Sequence, residues 1–481
     1  MPTSPALVGL DVGTTGVKAI AISTEGKVLS VVSRGYPLST PAPGWAEQDP
    51  GDWWHAAEAA LAEVSEGREV LGIGLSGQMH GLVVLDSGGH VIRPAILWND
   101  QRTAAECREI EERVGAGRLL ELTGNRALTG FTAPKLLWLR RHEPEAYGRI
   151  ARVMLPKDYV RLRLTGEWAI DAADASGTLL FDVANRRWSG EVLDALELPH
   201  EWLPPVLESP ERAGTVEAAG TPVAAGAGDQ PAAALGVGID RPGRVSVVLG
   251  TSGVVLAALP AYAHDPAGAV HAFCHAVPGG WQAMGVMLSA AGSLEWFHDR
   301  LAPECPFAEL AAEAEAWAPG AEGLLFTPYL AGERTPHADP DARAAFVGLE
   351  LRHDRGALVR AVLEGVAFGL RDALDAVRGL GVDVSVGRVS GGGARSELWL
   401  RIVASVLDLT LERTESEEGS AFGAALLGGV AAGVFADVHD AVARCVRTRD
   451  AIDPDPAWRD VYADLLPRYR ALYPATKGIL T

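Results

Sequence analysis

Two stretches of the chain alternate apolar and small residues in the same way. Residues 7–22 read LVGLDVGTTGVKAIAI and residues 245–257 read VSVVLGTSGVVLA. Each is a β-branched run, a Gly-Thr-Thr/Ser-Gly turn and a second β-branched run, which predicts a β-hairpin. Gly13-Thr14-Thr15-Gly16 and Gly250-Thr251-Ser252-Gly253 lie about half a chain apart. A single turn of this kind is only a turn. Two at that spacing predict two related domains, each presenting a hairpin to a shared cleft. Further strands are predicted within LGIGLSGQMHGLVVLD (71–86) and AILWND (95–100), with helices around 102–114 and 135–142. In the second half, amphipathic patterns predict helices near 354–378, 396–407 and 420–433, and a strand running into Gly391-Gly392-Gly393-Ala394. Strands alternating with helices make the fold class α/β with mixed sheets. The Gly- and Pro-rich segment 235–244 marks the expected boundary, giving domains over 1–240 and 241–481. The last forty residues read as a helical cap.

Composition narrows the function. The chain has 481 residues, 48% of them apolar, and a formal net charge of −20. Such a charge repels phosphate backbones and anionic lipid heads, so neither nucleic acid nor a membrane surface is an expected partner. A phosphate-bearing small molecule stays admissible, because a nest of backbone N–H groups holds an anion locally. Cys107, Cys274, Cys305 and Cys445 lie far apart with no CxxC, which argues against a disulfide framework and a structural zinc. The N-terminus carries no leader pattern and no uncharged apolar stretch reaches spanning length, so the expected location is the cytoplasm. Oligomeric state is left open by the sequence, a homodimer included.

Several positions carry candidate chemistry. Asp11 opens the first hairpin turn, where a carboxylate suits Mg²⁺ held through water; the alternative is a turn aspartate capping its own backbone. Glycines and hydroxyls in both turns suit phosphate oxygens. The glycine run 391–393 with Ala394, between a strand and a helix, leaves room for a nucleoside, though such junctions are often structural. It is neither a Walker A loop nor a dinucleotide fingerprint. Asp229, among small residues and before Gln230-Pro231, suits a general base facing a substrate hydroxyl; the alternative is an N-cap. Gln78-Met79-His80 sits on a turn between apolar strands. Trp98-Asn99-Asp100-Gln101-Arg102 offers a ring face for C–H groups and polar groups for hydroxyls, as a sugar requires, or else a core anchor and a solvated cap.

Taken in order, DVGTTGVKA (11–19), GWAEQDPGDWW (44–54), LSGQMHGLV (75–83), LWNDQR (97–102), AGAGDQPAAALG (225–236), LGTSG (249–253) and GGGARSELW (391–399) resemble the FGGY carbohydrate kinases over nearly the whole chain. Residues 130–138, and 347–349 with 358–364, look like the family's two signatures; Ala357 stands where a polar residue is commoner. The resemblance implies the duplicated fold of actin, hexokinase and the heat-shock ATPases (ribonuclease H-like domains) with a catalytic cleft between the halves. It implies ATP as donor, Mg²⁺, Asp229 as general base and Asp11 as the metal-site carboxylate. Met79 and His80 would contact the sugar, with Gln78, Trp98, Asn99, Asp100, Arg102 and Gln230 around it. Gly13, Thr14, Thr15, Lys18, Gly250, Thr251 and Ser252 would surround the phosphates, and Gly392, Gly393 and Ala394 would face adenosine. Within the family, Gln78-Met79-His80 with Trp98-Asn99-Asp100 and Asp229-Gln230 is most similar to the xylulose-phosphorylating members, implying D-xylulose as substrate and D-xylulose 5-phosphate as product. Gluconate-phosphorylating members share the Met-His pair and are the nearest rival. A non-catalytic actin-like or chaperone-like nucleotide-binding protein would lack the sugar-reading set, and a chaperone would need a peptide-binding domain for which no length remains. A sugar-binding regulator with a dead site is disfavoured by the presence of both Asp11 and Asp229.

Overall fold

The computed structural model describes residues 4–217 and 219–480. Two seven-stranded sheets organise it. The first comprises Ser4–Val12 (β1), Gly16–Ile22 (β2), Val28–Gly35 (β3), Arg68–Gly77 (β4), Arg212–Val216 (β5), Thr221–Ala224 (β6) and Ala227–Gly228 (β7). β1, β2 and β3 form an antiparallel meander, β4 runs parallel beside β1, and β6 and β7 pair in parallel with β4. β5 closes the edge antiparallel to β6. The second sheet comprises Gly243–Leu249 (β8), Gly253–Leu259 (β9), His271–Cys274 (β10), Trp281–Met287 (β11), Val384–Ser390 (β12), Thr410–Thr414 (β13) and Thr448–Ile452 (β14). Here β8, β9 and β11 form the meander, β12 and β13 follow in parallel, and β14 closes the edge antiparallel. Apart from the short β7 beside β4 in the first sheet and β10, which extends the meander beyond β11 in the second, order and sense repeat from sheet to sheet. The similarity of the two Gly-Thr turns therefore reflects a duplicated topology, with one turn at the tip of the β1–β2 hairpin and the other at the tip of β8–β9.

The periodic segments fold as helices: Thr132–His142 (α1), Pro156–Thr165 (α2), Asp229–Gly236 (α3), Arg355–Arg378 (α4), Glu397–Leu407 (α5), Gly419–Ala431 (α6), Val438–Cys445 (α7) and the terminal Pro456–Leu480 (α8). α4 runs through the second core, packed with α5 and α8 residues such as Trp399, Tyr462 and Tyr469. The 95–100 segment differs from expectation: only Ala95–Ile96 is strand, because the next residues turn inward to form a buried ion pair described below. Among the described residues no helix is long and apolar enough to cross a membrane.

α6 comes from the second half of the sequence but covers the first sheet. It packs with almost no side chain between. A Cβ on Gly9 would lie 1.9 Å from the Ala421 carbonyl oxygen, one on Gly74 1.8 Å from that of Ala424, and one on Gly72 2.3 Å from that of Gly428. α3 meets α6 as closely, since a Cβ on Gly423 would lie 1.8 Å from the Ala232 oxygen. Leu7, Ile20, Ile22, Ala224, Phe422 and Leu426 form one buried cluster across this contact, continued by Val438 and Val442 of α7.

Behind the ends of β4 and β7 lies a fully buried charge cluster. Lys157 Nζ stands 2.7 Å from Asp158, 2.6 Å from Asp171 and 3.0 Å from Asp174. Arg161 pairs with Asp158 at 2.8 Å and donates to the carbonyls of Ala225 and Ala169. The stem of Lys157 packs against Gly77 and Gly226. One ammonium thus ties the segment 171–178 to the ends of both strands. Burial pushes the Asp174 carboxyl well above its usual range, opposed by Lys157.

Two outcomes follow for stability. Gly9→Ala drives a methyl into a backbone carbonyl that no rotamer change can move, and overpacking costs about 1–3 kcal/mol or more; thermal unfolding should show a lowered, still cooperative transition. Lys157→Met leaves three buried carboxylates without their cation. Breaking a buried pair costs about 3–5 kcal/mol, read as a lower denaturation midpoint at unchanged slope.

Candidate active site

Asp11 is the penultimate residue of β1 and half-buried. Ser76 Oγ donates to one of its oxygens at 2.9 Å and Ser420 Oγ, from the first turn of α6, to the other at 3.0 Å. Burial pushes its carboxyl upward in spite of these bonds and of the nearby Lys18 ammonium. Lys18, opposite Asp11 on β2, reaches Glu418 at 2.7 Å. The first turn is therefore closed by residues preceding and opening α6, which no local pattern around Asp11 announces.

Asp229 is the first residue of α3, and Gly228 holds the cap position with no side-chain capping bond. The N-cap alternative for Asp229 is thus set aside by the structure. Its carboxyl, near Asp11, is pushed up to about 7: burial is the main cause and the Asp11 charge adds to it, while hydrogen bonds from Gln230 oppose both. Two carboxylates whose pKa values are raised, near one another, fit what Mg²⁺ requires of a protein: one or two carboxylates, with waters and phosphate oxygens completing the shell. The serine hydroxyls fix the Asp11 oxygens, and each oxygen keeps a lone pair that could accept from a water on a metal ion.

The turn 78–81 carries Met79 and His80 to the same place. Met79 is buried, and a Cβ on Gly228 would lie 2.6 Å from its Cγ, so the loop sits directly against the residue before Asp229. His80 has φ +69°, and its backbone carbonyl is held by Thr132 Oγ1 at 3.0 Å and Lys135 Nζ at 2.8 Å. Its Nδ1 lies 2.6 Å from the Gly177 carbonyl. A carbonyl only accepts, so Nδ1 carries the proton and Nε2 is left as an acceptor. Burial holds the ring pKa down to about 3, so His80 is neutral throughout the physiological range. Phe131 at 4.5 Å and Phe273 at 6.1 Å flank it.

Gln78 is buried and braces the first turn from below. Its Nε2 donates to Gln48 Oε1 (3.0 Å) and to the Gly13 carbonyl (3.3 Å), and its Oε1 accepts from Thr14 (3.4 Å). Trp98 is 43% exposed, with its indole N–H bound to Thr14 Oγ1 at 2.9 Å. Thr14 therefore faces the Trp98–Gln78 side, while Thr15 is exposed at the tip. Asn99 keeps a buried Oδ1 without a partner among the described residues.

Two expected sugar contacts are corrected. Asp100 is fully buried and accepts from the Ala46 N–H (2.7 Å) and from Arg102 Nε and Nη2. Arg102 is paired besides with Glu47 (2.7 Å), and its guanidinium lies 3.6 Å over the Trp45 ring. Both Asp100 oxygens and the Arg102 Nε and Nη2 groups are spent on this internal anchor.

The second turn stands beside the glycine cluster. Gly391 has φ +91°, and a Cβ there would lie 2.9 Å from the Gly250 nitrogen. Gly392 borders open space; Gly393 and Ala394 are buried on Leu249 and Trp399 side chains or in the core around them. Thr251 is exposed and Ser252 half-buried. The segment before α6 links this group to the first: Arg413 Nη1 donates to the Ala394 carbonyl, and Arg395 lies 3.4 Å from Glu417, next to the Glu418–Lys18 pair. Ser420, Gly177 and the Lys157 cluster were missed in the sequence. Ser76 lay within a quoted motif; the other three act through long-range contacts that no local pattern carries.

Residues 6–236 match the FGGY family of carbohydrate kinases, N-terminal domain, and residues 245–432 match its C-terminal domain. The chain is 44% identical over 437 residues to a xylulose kinase of Escherichia coli (strain K12), covering 88% of this chain and 90% of that protein. It is 38% identical over 491 aligned positions to a xylulose kinase of Bacillus subtilis (strain 168), covering 99% and 98%. The crystal structure of xylulose kinase from Rhodospirillum rubrum superposes with a TM-score of 0.93 at 35% identity, covering 99% of each chain. A duplicated sheet topology, paired Gly-Thr turns and a carboxylate pair near the Met79–His80 turn accompany these matches: the chain belongs to the FGGY family of carbohydrate kinases.

Proposed function

We propose that the chain transfers the γ-phosphoryl group of ATP to the terminal hydroxyl of D-xylulose, giving D-xylulose 5-phosphate. The observation that carries this reading is Asp229: a carboxylate tuned to about 7, beside Asp11 and against the Met79–His80 loop. Relatives named xylulose kinases, at up to 44% identity over most of the chain, support the choice of sugar.

Phosphoryl transfer needs positioning and electrostatic stabilisation more than covalent chemistry. Asp229 accepts the proton of the sugar's terminal hydroxyl as attack on the γ-phosphorus develops, and an acidity near the working pH suits a general base. His80, its tautomer fixed by Gly177, offers Nε2 to a sugar hydroxyl, and the open face of Trp98 suits C–H groups. The backbone N–H groups and hydroxyls at Thr14, Thr15, Thr251 and Ser252 suit phosphate oxygens, with Gly392 and Gly393 leaving room for adenosine. Asp11 would hold Mg²⁺ through water, the metal offsetting charge on the phosphates. Four free, buried cysteines suit a reducing compartment such as the cytoplasm.

A coupled assay comparing D-xylulose, D-gluconate, D-ribulose and glycerol tests the substrate; D-xylulose should lead in kcat/KM, and a different leader overturns it. Asp229→Asn should bind ATP and lose at least about a hundred-fold in kcat, within the usual range for general-base removal. Retention of more than about a tenth of wild-type kcat would exclude Asp229 as the base. In the wild type the base acts deprotonated, so kcat/KM should fall about tenfold per pH unit below about 7 and level off above it. The linked stability effect has the opposite sense. A carboxyl whose folded pKa is raised destabilises the fold where it must ionise, so Asp229→Asn should melt higher than wild type at pH 8, the gap closing near pH 4. Asp11→Ala should nearly abolish turnover while sugar binding, followed by calorimetry, persists.

A further inference from the structure

One charged group near the sugar loop has no place in the mechanism above. Arg334 lies in the loop 328–344 of the second half and is half-buried. Its guanidinium makes no hydrogen bond and no ion pair within 4 Å among the described residues. Burial pulls its pKa below the usual arginine value, opposed by the charge of Glu333. The adjacent Glu333 does not neutralise it. The Glu333 carboxylate oxygen accepts from the N–H groups of Leu288 (3.0 Å) and Arg334 (2.7 Å), and burial pushes this carboxyl up to about 8.

The segment is held in place. The Thr335 N–H donates to the Val286 carbonyl and the Val286 N–H to Thr335 Oγ1, both at 2.9 Å, and Thr335 Oγ1 donates to the Ala269 carbonyl at 2.6 Å. Val286, on β11, shares a core cluster with Met79, Phe131 and Phe273. Arg334 thus borders the wall on which His80 rests, and its charge contributes to keeping His80 and His271 neutral.

We propose that Arg334 is a substrate-binding residue that donates to the carbonyl-end oxygens of the ketose, at the end remote from phosphoryl transfer. This rests on the D-xylulose reading and adds the group that recognises it as a ketose. The chemistry favours this assignment. The hydroxyl that attacks is the one consumed when the sugar closes to its furanose ring, so the reacting form is open-chain with a free C2 carbonyl. A carbonyl oxygen only accepts, and a guanidinium only donates, through a planar fork that spans neighbouring oxygens. His80, with only an acceptor to offer, reads a hydroxyl; Arg334, from the facing half, reads the carbonyl.

The test uses the full-length enzyme and its Arg334→Met and Arg334→Lys variants, with D-xylulose and with the pentitol D-arabinitol, which lacks the carbonyl, as substrate or competitive inhibitor. Arg334→Met should raise KM for D-xylulose about ten- to a hundred-fold, as expected for a lost charged hydrogen bond, and leave KM for ATP unchanged. The preference for ketose over pentitol should collapse in Arg334→Met and weaken in Arg334→Lys. An unchanged D-xylulose KM, an equal rise in the ATP KM, a loss confined to kcat, or equal losses on ketose and pentitol would each overturn the assignment. If Arg334→Met shows no cooperative melting, the ketose-to-pentitol ratio of Arg334→Lys decides by the same criteria. Wild-type enzyme that turns over another panel sugar but not D-xylulose refutes the substrate reading and, with it, the carbonyl contact; normal D-xylulose turnover with insensitive variants refutes Arg334 alone.

Discussion

The site depends on a contact between a helix and a sheet that almost no side chain separates. Gly9, Gly72 and Gly74 clear a track on β1 and β4, and α6 lies in it with its backbone against theirs. Only at that distance does Ser420 reach Asp11 and Glu418 reach Lys18. The same helix follows β13, whose neighbours carry the glycine-rich turn. The groups around the first turn and those around the second are therefore referred to one rigid element. The dense packing of protein interiors makes such a contact intolerant of even one added methyl, which is why small residues dominate both faces.

Charge is distributed with equal economy. Carboxylates occupy three kinds of surroundings. Asp158, Asp171 and Asp174 surround Lys157 and fix backbone; through the segment they hold, Gly177 sets the tautomer of His80. Asp100 is saturated by Arg102 and the Ala46 N–H and anchors a turn. Asp11 and Asp229 have no cation within salt-bridge reach among the described residues, and their pKa values are raised by burial, that of Asp229 further by the negative charge of Asp11. A perturbed pKa together with an unmet demand for a partner marks Asp11 and Asp229 as the candidates for chemistry in the proposed mechanism.

The sequence made the strands, the long helices and the duplication legible, because periodicity and Gly-Thr turns are local properties of β1–β2, β8–β9 and α4–α6. It also singled out Asp11, Asp229, Met79 and His80 from turns rich in small residues, and the fold brings these four near one another. It misdirected at Asp100 and Arg102. A polar run after a tryptophan resembles a sugar-binding edge whether its side chains point outward or inward, and here Glu47 and Trp45, some fifty residues earlier, draw them inward. Ser420, Lys157 and Gly177 were invisible for the complementary reason: each acts across a long stretch of chain, on a partner that only the fold brings near.

The covering of the first sheet by α6 and α7 has a consequence for how the chain is made. Leu7, Ile20, Ile22 and Ala224 emerge from the ribosome early, but the residues that shield them, from Phe422 to Val442, come near the end. At ~5–20 residues per second, about 200 intervening residues take about 10–40 s to synthesise. For that interval a finished apolar face has nothing to lie against. Nascent chains stalled after α3 should therefore be sticky, offering their uncovered sheet to chaperones, and the first half is not a unit that can be expressed, swapped or circularly permuted without its late-arriving helices.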